Sequence, residues 1–199
     1  MKDSKVEKSG YHHGDLRAAL IAKGLRMLEE QDDADLSLRA LARAVGVSAT
    51  AVYRHFPDKE ALREALALAA YDRLGEAQRA AAIGMNNVFD EFQAMGRTYV
   101  RFALDHPALF RLMTSIPGDG ELFDFDRDQS DDQAAKLLRA YARKLAGKGA
   151  SPDTIKTIAM RAWALVHGLA VLMIDGYVPR DEALIDAVVD TRALGMHRG

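Results

Sequence analysis

The segment from Leu36 to Leu62 leaves this chain less conformational choice than any other. Ser37 stands just ahead of Leu38, Leu41, Ala42 and Val45, which fall at i, i+3, i+4 and i+7, so a serine-capped amphipathic helix is expected there. Gly46 ends it, because glycine enters the left-handed region without a Cβ clash. Ser48 offers a second N-cap for a helix of about two turns, Ala49 to Phe56, which stops before Pro57. Asp58 caps a third helix that continues through Lys59, Leu62 and Leu66 to about Ala81. Helix, glycine turn and short helix, each helix opened by a capping side chain, is a helix-turn-helix pattern.

A helical wheel for the short helix puts Val52 and Phe56 on the buried side. Thr50 and Arg54 then lie opposite the core, Tyr53 and Ala51 flank them, and His55 sits at the border. Small and polar groups with one guanidinium suit a helix entering a major groove, where close approach to base edges is needed. Arg54 is placed to bond guanine through both terminal nitrogens, Thr50 to meet a thymine methyl or a base edge, and Tyr53 and His55 to hold phosphates. Ser37 and Arg39 open the preceding helix, whose N-terminal amides attract a phosphate, and Lys59 does the same from the other side. The plainer alternative is that these groups solvate an exposed helix.

Helical periodicity continues through the rest of the chain, with no convincing strict alternation and only five prolines. A first helix is expected from about Asp15 to Glu30. After Gly84 come Asn87 to Asp105, Pro107 to Ser115, about Asp131 to Ala146, Pro152 to Asp175, and about Asp181 to Leu194. The fold class is therefore all-α. Residues 1–62 are read as a polar arm plus the helix-turn-helix domain, and 63–199 as a second helical domain. With 199 residues, 49% of them hydrophobic, the chain can bury a real core and is not wholesale disordered. The absence of cysteine excludes a disulfide framework, thiolate chemistry and sulfur-ligated zinc. Met1 to Gly10 is polar and lacks the apolar stretch of a secretory signal, so a soluble cytoplasmic protein is expected. Ile158 to Ile174 is apolar except for Arg161 and His167, two groups that would be costly in lipid, so it reads as a core helix with neighbours on several sides.

In the second domain Phe92, Met95, Tyr99, Phe102, Phe110, Met113, Trp163 and His167, with Tyr141 and Met160, are candidate walls of an apolar or aromatic ligand site. Tyr99, His167 or Arg161 would orient the ligand. Taken singly each is as well explained as plain core, and His167 as a buried histidine bonded to a neighbour. A dimer is expected because one short reading helix buries little DNA surface. Leu184, Ile185, Val188 and Val189 form an apolar stripe that, with Ala162 and Val166 of the long apolar helix, would make half of a four-helix interface in which Ala162 and Gly168 permit close approach. The acidic run 124–128 begins like a calcium loop but has Gln129 and Ala135 where glycine and glutamate are required, so it is read as a solvated loop over 116–130, or a lid carrying Phe123 and Phe125. His12 and His13 lack further ligands. No metal site, cofactor or catalytic signature is expected: there is no G-x-S-x-G, G-x-G-x-x-G, Walker loop or H-E-x-x-H.

The stretches Tyr11-His12-His13-Gly14-Asp15-Leu16-Arg17, Leu36-Ser37-Leu38-Arg39-Ala40-Leu41-Ala42, Val45-Gly46-Val47-Ser48 and Val52-Tyr53-Arg54-His55-Phe56-Pro57-Asp58-Lys59 resemble the N-terminal domain of TetR-family transcriptional regulators. The resemblance covers about Asp15 to Leu66. By motif it implies Ser37, Arg39, Ser48, Ala49, Thr50, Tyr53, His55 and Lys59 as DNA contacts, while Arg54 rests on the wheel. The remainder is similar to a regulatory domain of that family in a Trp-His-Gly subgroup, through Trp163-Ala164-Leu165-Val166-His167-Gly168, Tyr99, Phe102, His106-Pro107, Leu109-Phe110 and Leu112-Met113. This resemblance implies nine helices, a homodimer on double-stranded operator DNA, and a small effector that releases the DNA. A helix-turn-helix protein without small-molecule control, or an all-helical small-molecule-binding protein or enzyme, are the competing expectations.

The formal charge of −2 argues against a nucleic-acid partner only as an average. From Leu36 to Arg63 five basic residues (Arg39, Arg43, Arg54, Lys59, Arg63) face two acidic ones (Asp58, Glu60), a local excess of +3. Lys2, Lys5 and Lys8 are expected to add to that patch.

Overall fold

A computed structural model describes residues 16–30, 36–116 and 133–190. The lysine arm, His12 and His13, the acidic loop with Phe123 and Phe125, and the tail beyond Asp190 lie outside the described residues. Nine α-helices and no strand are found among the described residues: α1 Leu16–Glu30, α2 Leu38–Val45, α3 Ala49–Tyr53, α4 Lys59–Ala82, α5 Val88–Asp105, α6 Pro107–Ser115, α7 Gln133–Ala146, α8 Pro152–Ile174 and α9 Glu182–Val188.

Helix starts follow the caps written in the sequence. The side-chain oxygens of Ser37, Ser48, Asp58, Asn87, Ser151 and Asp181 each accept a bond from a first-turn amide, for example Ala61 N to Asp58 Oδ1 at 2.8 Å. Such a bond satisfies an amide that the helix itself cannot, and each contributes about 1 kcal/mol. Gly46 closes α2 at φ 78°, and its own amide and that of Val47 both donate to the Ala42 carbonyl. Two ends differ from the sequence reading. The short reading helix, expected to reach Phe56, leaves regular helix after Tyr53: His55 N bonds Val52 O at 2.9 Å, a tighter turn that brings the chain to Pro57. The last helix, expected to run to about Leu194, ends at Val188, and Val189 turns into the core.

One apolar cluster runs through both halves of the molecule. It joins Leu20 and Leu28 of α1, Leu41 of α2, Val52 of α3 and Phe56 to Leu62, Leu66 and Leu74 of α4, and continues into Phe102, Leu109, Phe110 and Met113 of α5 and α6. Phe56, 1% exposed, closes the bottom of this core, with the Arg17 guanidinium 5.4 Å from its ring centre. The central element is α4, which packs against α1, α5, α6 and α7; α8 lies on α5 and α7, and α9 on α5 and α8. An expected boundary at residues 62 and 63 thus falls inside an unbroken helix.

Helix α7 docks on α4 through three residues on one face. Asp72 Oδ1 accepts the Gln133 amide at 3.1 Å, Arg79 Nη2 donates to Gln133 Oε1 at 2.8 Å, and Gly75 lies between them. A Cβ at Gly75 would sit 2.5 Å from Gln133 Cβ and 2.8 Å from the Ala134 nitrogen, so the two helices meet where only glycine fits. Gly75→Ala, which would normally favour a helix by about 1 kcal/mol, is therefore expected to destabilise the fold by about 1–3 kcal/mol. Urea denaturation followed by circular dichroism measures it; an unchanged or raised midpoint would show that α7 yields freely.

Candidate functional site

The α2–α3 unit is held rigid before anything binds it. Leu38, Leu41 and Ala42 anchor α2 in the core, Val52 (0% exposed) anchors α3, and the left-handed Gly46 sets the angle between them. Most of the side chains that sequence reasoning selected lie outside, together with Arg43, Ala44, Pro57, Asp58 and Glu60. Ser37, Arg39, Ser48, Thr50, Tyr53, Arg54, His55 and Lys59 are all exposed, and Ala49 is half-buried. Tyr53 keeps 45% of its surface open although aromatic, unlike most rings among the described residues. Thr50 and Arg54 are one turn apart on the side away from Val52, and Arg54 N bonds Thr50 O at 3.3 Å. The Ser37 and Ser48 hydroxyl oxygens accept bonds from Ala40 N and Ala51 N at 3.1 and 3.2 Å, which leaves each hydroxyl hydrogen to donate outward. A helix N-terminus with hydroxyl donors, flanked by Arg39 and Lys59, has the chemistry to hold phosphates on either side of a reading helix.

The candidate ligand residues divide into two groups. Phe92 and Met95 pack with Tyr141 and Ala162, the Phe92 and Tyr141 rings stacking at 6.0 Å and 16°. The Tyr141 hydroxyl donates to Glu91 Oε2 at 2.7 Å; burial first, then that hydrogen bond and the carboxylate's charge, push its pKa up to about 12. Tyr99, Phe102, Phe110 and Met113 belong to the main core, and Trp163 packs against it. Here Tyr99, Phe110, Trp163 and His167 form a nest of rings: His167 lies 5.1 Å from Trp163 and 5.5 Å from Phe110, and Tyr99 meets Phe110 edge-on at 5.9 Å. The Tyr99 hydroxyl is 3.0 Å from His167 Nδ1. Burial, with Tyr71 adding to it, raises the Tyr99 hydroxyl well above the ordinary phenol range, while a hydrogen bond from Trp163 works the other way. Tyr99 is thus a neutral donor, and burial lowers His167, which favours a neutral imidazole accepting that proton at Nδ1. His167 is half-buried and bonded to its neighbour Tyr99.

The structure places several of the remaining candidates differently from what their spacing suggests. Arg161 and Met160 are exposed on α8 and do not join the aromatic nest. Of the expected dimer residues, Ala162, Ile185 and Val189 are 7%, 1% and 3% exposed within the single chain, buried by α5, α7 and α8 of their own fold. Val166 also faces inward, its Cγ1 3.4 Å from where a Gly96 Cβ would lie. Leu184 and Val188 are half-buried at the edge of that cluster. The open side of α8 is instead Met160, Ala164, Gly168 and Leu172, spaced four apart, with Met160 and Leu172 41% and 43% exposed and nothing within 4 Å of a Cβ built at Gly168.

Sequence reasoning passed over Gln78, although the i+4 stripe Leu62, Leu66, Ala70, Leu74 points straight to it. Gln78 is buried; its Nε2 donates to the Met95 carbonyl at 3.2 Å and its Oε1 finds no donor among the described residues. It also missed Tyr71, whose hydroxyl donates to the Met113 carbonyl at 3.3 Å, and Glu29, Arg73 and His106, which meet between α1, α4 and α6.

The His167 environment makes a pH prediction. A lowered pKa in the fold means that the unfolded chain binds the extra proton, so stability is retained above the ordinary value of 6.5 and declines as pH falls below it. The urea midpoint is expected to drop between about pH 7.5 and about pH 5.5. His167→Phe should make that drop smaller; an equal drop in the variant would mean that His167 is not a source of it.

Comparison with known proteins places both halves. Residues 20–66 match the family model described as bacterial regulatory proteins, tetR family, and residues 92–192 match the tetracyclin repressor-like C-terminal domain. An uncharacterized HTH-type transcriptional regulator of Mycobacterium tuberculosis is 28% identical over 161 residues, 79% of this chain and 73% of its own length. A nucleoid occlusion factor, SlmA of Marinomonas sp., is 31% identical over 107 residues, and the match spans about half of each protein, 54%. Among solved structures, a protein of unknown function from Rhodococcus sp. RHA1 superposes with a TM-score of 0.68 at 30% identity, covering 95% of this chain and 97% of that one. A TetR-family regulator from Marinobacter aquaeolei VT8 shares the fold, with a TM-score of 0.59 at 20% identity over 87% of this chain and 91% of that one. These matches do not speak to the Trp-His-Gly subgroup.

Proposed function

The chain belongs to the TetR family of bacterial transcriptional regulators, and from that premise we propose that it is a repressor which binds a palindromic operator as a homodimer and is released by a small apolar or aromatic effector. The observation that carries the DNA half is the exposed set Thr50, Tyr53 and Arg54 on a short helix locked by Ser48, Val52 and Gly46. Residues 1–62 form the reading head and 63–199 the regulatory and dimerisation part, with α4 common to both. The protein works in the cytoplasm, where its operator is.

The open stripe of α8 supports the dimer. Met160, Ala164, Gly168 and Leu172 form an i+4 ridge on a helix apolar enough to cross a membrane by length and composition, yet only 28% buried in one chain over that window. A second copy supplies the missing cover, with Gly168 at the closest approach and Leu184 and Val188 of α9 at the rim. The ring nest of Tyr99, Phe110, Trp163 and His167 supports an aromatic or flat apolar effector. Effector binding favours a dimer whose two heads no longer meet successive major grooves, about 34 Å apart. Linkage then requires that DNA weaken effector binding by the same factor.

Mobility shifts of the full chain on the DNA upstream of its own gene test the assignment. Arg54→Ala is expected to weaken binding by about 1–3 kcal/mol per half-site, roughly 5- to 150-fold, and to relax the preference at one base pair of each half-site. Tyr53→Ala should weaken all sequences alike. Two variants that shift DNA like the wild type would remove α3 from the interface. Leu172→Glu should turn the dimer into monomer in sedimentation equilibrium while the helical signal is kept; a persistent dimer would place the interface elsewhere.

A further inference from the structure

Glu29, in the last turn of α1, takes nitrogen donors from two other elements on one oxygen. Arg73 Nη1 of α4 lies 2.9 Å from Oε1, and His106 Nδ1 lies 2.7 Å from the same atom. A carboxylate only accepts, so the His106 Nδ1 carries its proton in this contact. His106 occupies the N-cap of α6, at φ −128° and ψ 55°, where a side chain usually turns back to bond its own helix. It makes no such bond. The imidazole reaches across to α1 instead, and α6 starts with Pro107, which has no amide hydrogen to satisfy at that position.

The contact lies where the two halves meet. Helix α1 packs on α2 and α4 within the reading head, whereas α6 carries Phe110, one turn after His106, into the ring nest: Phe110 N bonds the His106 carbonyl at 2.9 Å and its ring is 5.5 Å from His167. On the α5 side the Phe102 ring tilts against His106 at 4.9 Å. We propose that the Glu29–His106 bond is a positioning tie that fixes the angle of the reading head on the regulatory body, and with it the half-site spacing that the dimer accepts on DNA. The proposal rests on the operator-binding dimer proposed above and adds the atoms that set its geometry. The side chains are about a quarter exposed, 26% and 27%, so the bond contributes little to stability; its effect is directional. It stops α6 from sliding along α1, and a shift of Phe110 by an effector reaches Glu29 through one turn of helix.

The test needs no effector. The full wild-type chain selects duplexes from a random library, and affinities are then measured for the enriched half-sites with the spacer changed by one or two base pairs. Each base pair moves one half-site along and around the duplex, so a rigid dimer discriminates steeply, by about tenfold or more. In Glu29→Ala and in His106→Phe, which keeps a ring against Phe102, the discrimination should fall to about threefold or less while the base preferences within each half-site stay. Glu29→Gln keeps an acceptor oxygen and should retain most of the discrimination. The double variant Glu29→Ala with His106→Phe should be no worse than either single one, the signature of a shared contact. Circular dichroism checks that each variant is folded. Spacing profiles identical to wild type in both single variants overturn the tie and leave the proposed function standing. A wild-type chain that enriches no duplex overturns the proposed function itself, and that result is separately visible.

Discussion

The whole arrangement depends on α4 remaining one helix from Lys59 to Ala82. Its first turn, capped by Asp58, is part of the reading head; its middle, Leu66, Ala70 and Leu74, is common core; its last turns carry Gly75 and Gln78 beneath α7 and α5. Burial on several sides removes the usual division into an inner and an outer face. A rod of 24 residues, about 36 Å long at 1.5 Å per residue, therefore cannot bend locally without opening contacts at both ends. The two halves are not beads on a tether. A displacement at the ring nest must be taken up by rotation or sliding of whole helices, because close-packed interiors are bistable rather than soft.

Much of this was legible in the sequence, and the legible parts share a physical cause. Ser37, Gly46, Ser48 and Asp58 act through bonds and dihedral angles a few residues away, so their meaning does not depend on distant neighbours. The fold class, the helix order and the exposed face of α3 followed from such local rules. Val166, Ile185 and Val189 show where they stop. Their spacing says that they lie on apolar stripes, but an apolar stripe is equally content against its own chain or a second copy. Only the crossing of α5, α8 and α9 shows that they face inward, leaving the flank at Met160, Gly168 and Leu172 uncovered. Gln78 was readable from its i+4 stripe. Glu29 and His106 were not: 77 positions separate them, and nothing in either neighbourhood names the other.

The ring nest and the tie differ in how they use water. Tyr99 and His167 are bonded in a partly buried setting, where removing one partner strands the other and burial disfavours charge on both. Glu29, Arg73 and His106 carry their bonds in a partly wetted seam, where the geometry can be given up at small cost. The effector response proposed above uses both. A site with a fixed hydrogen-bond pattern can discriminate between small molecules, and a seam of weak, directional bonds can be reset by the modest energy such a molecule brings.

Charge explains why head geometry has to be decisive. The chain carries a formal charge of −2, and the helix-turn-helix segment from Leu36 to Arg63 carries only five cations, Arg39, Arg43, Arg54, Lys59 and Arg63. Counterion release scales with the number of phosphates neutralised, so one head alone has a modest, salt-sensitive hold on any duplex. In the proposed dimer the second head binds at the high effective concentration set by the first, but only if the spacing fits; otherwise that gain is lost outright. A strongly basic head would grip DNA at almost any angle and would be hard to dislodge by rotating it. Weak heads on a stiff frame make occupancy depend on the angle between them, and that angle is what a helix such as α6, bonded to α1 through one carboxylate, is placed to control.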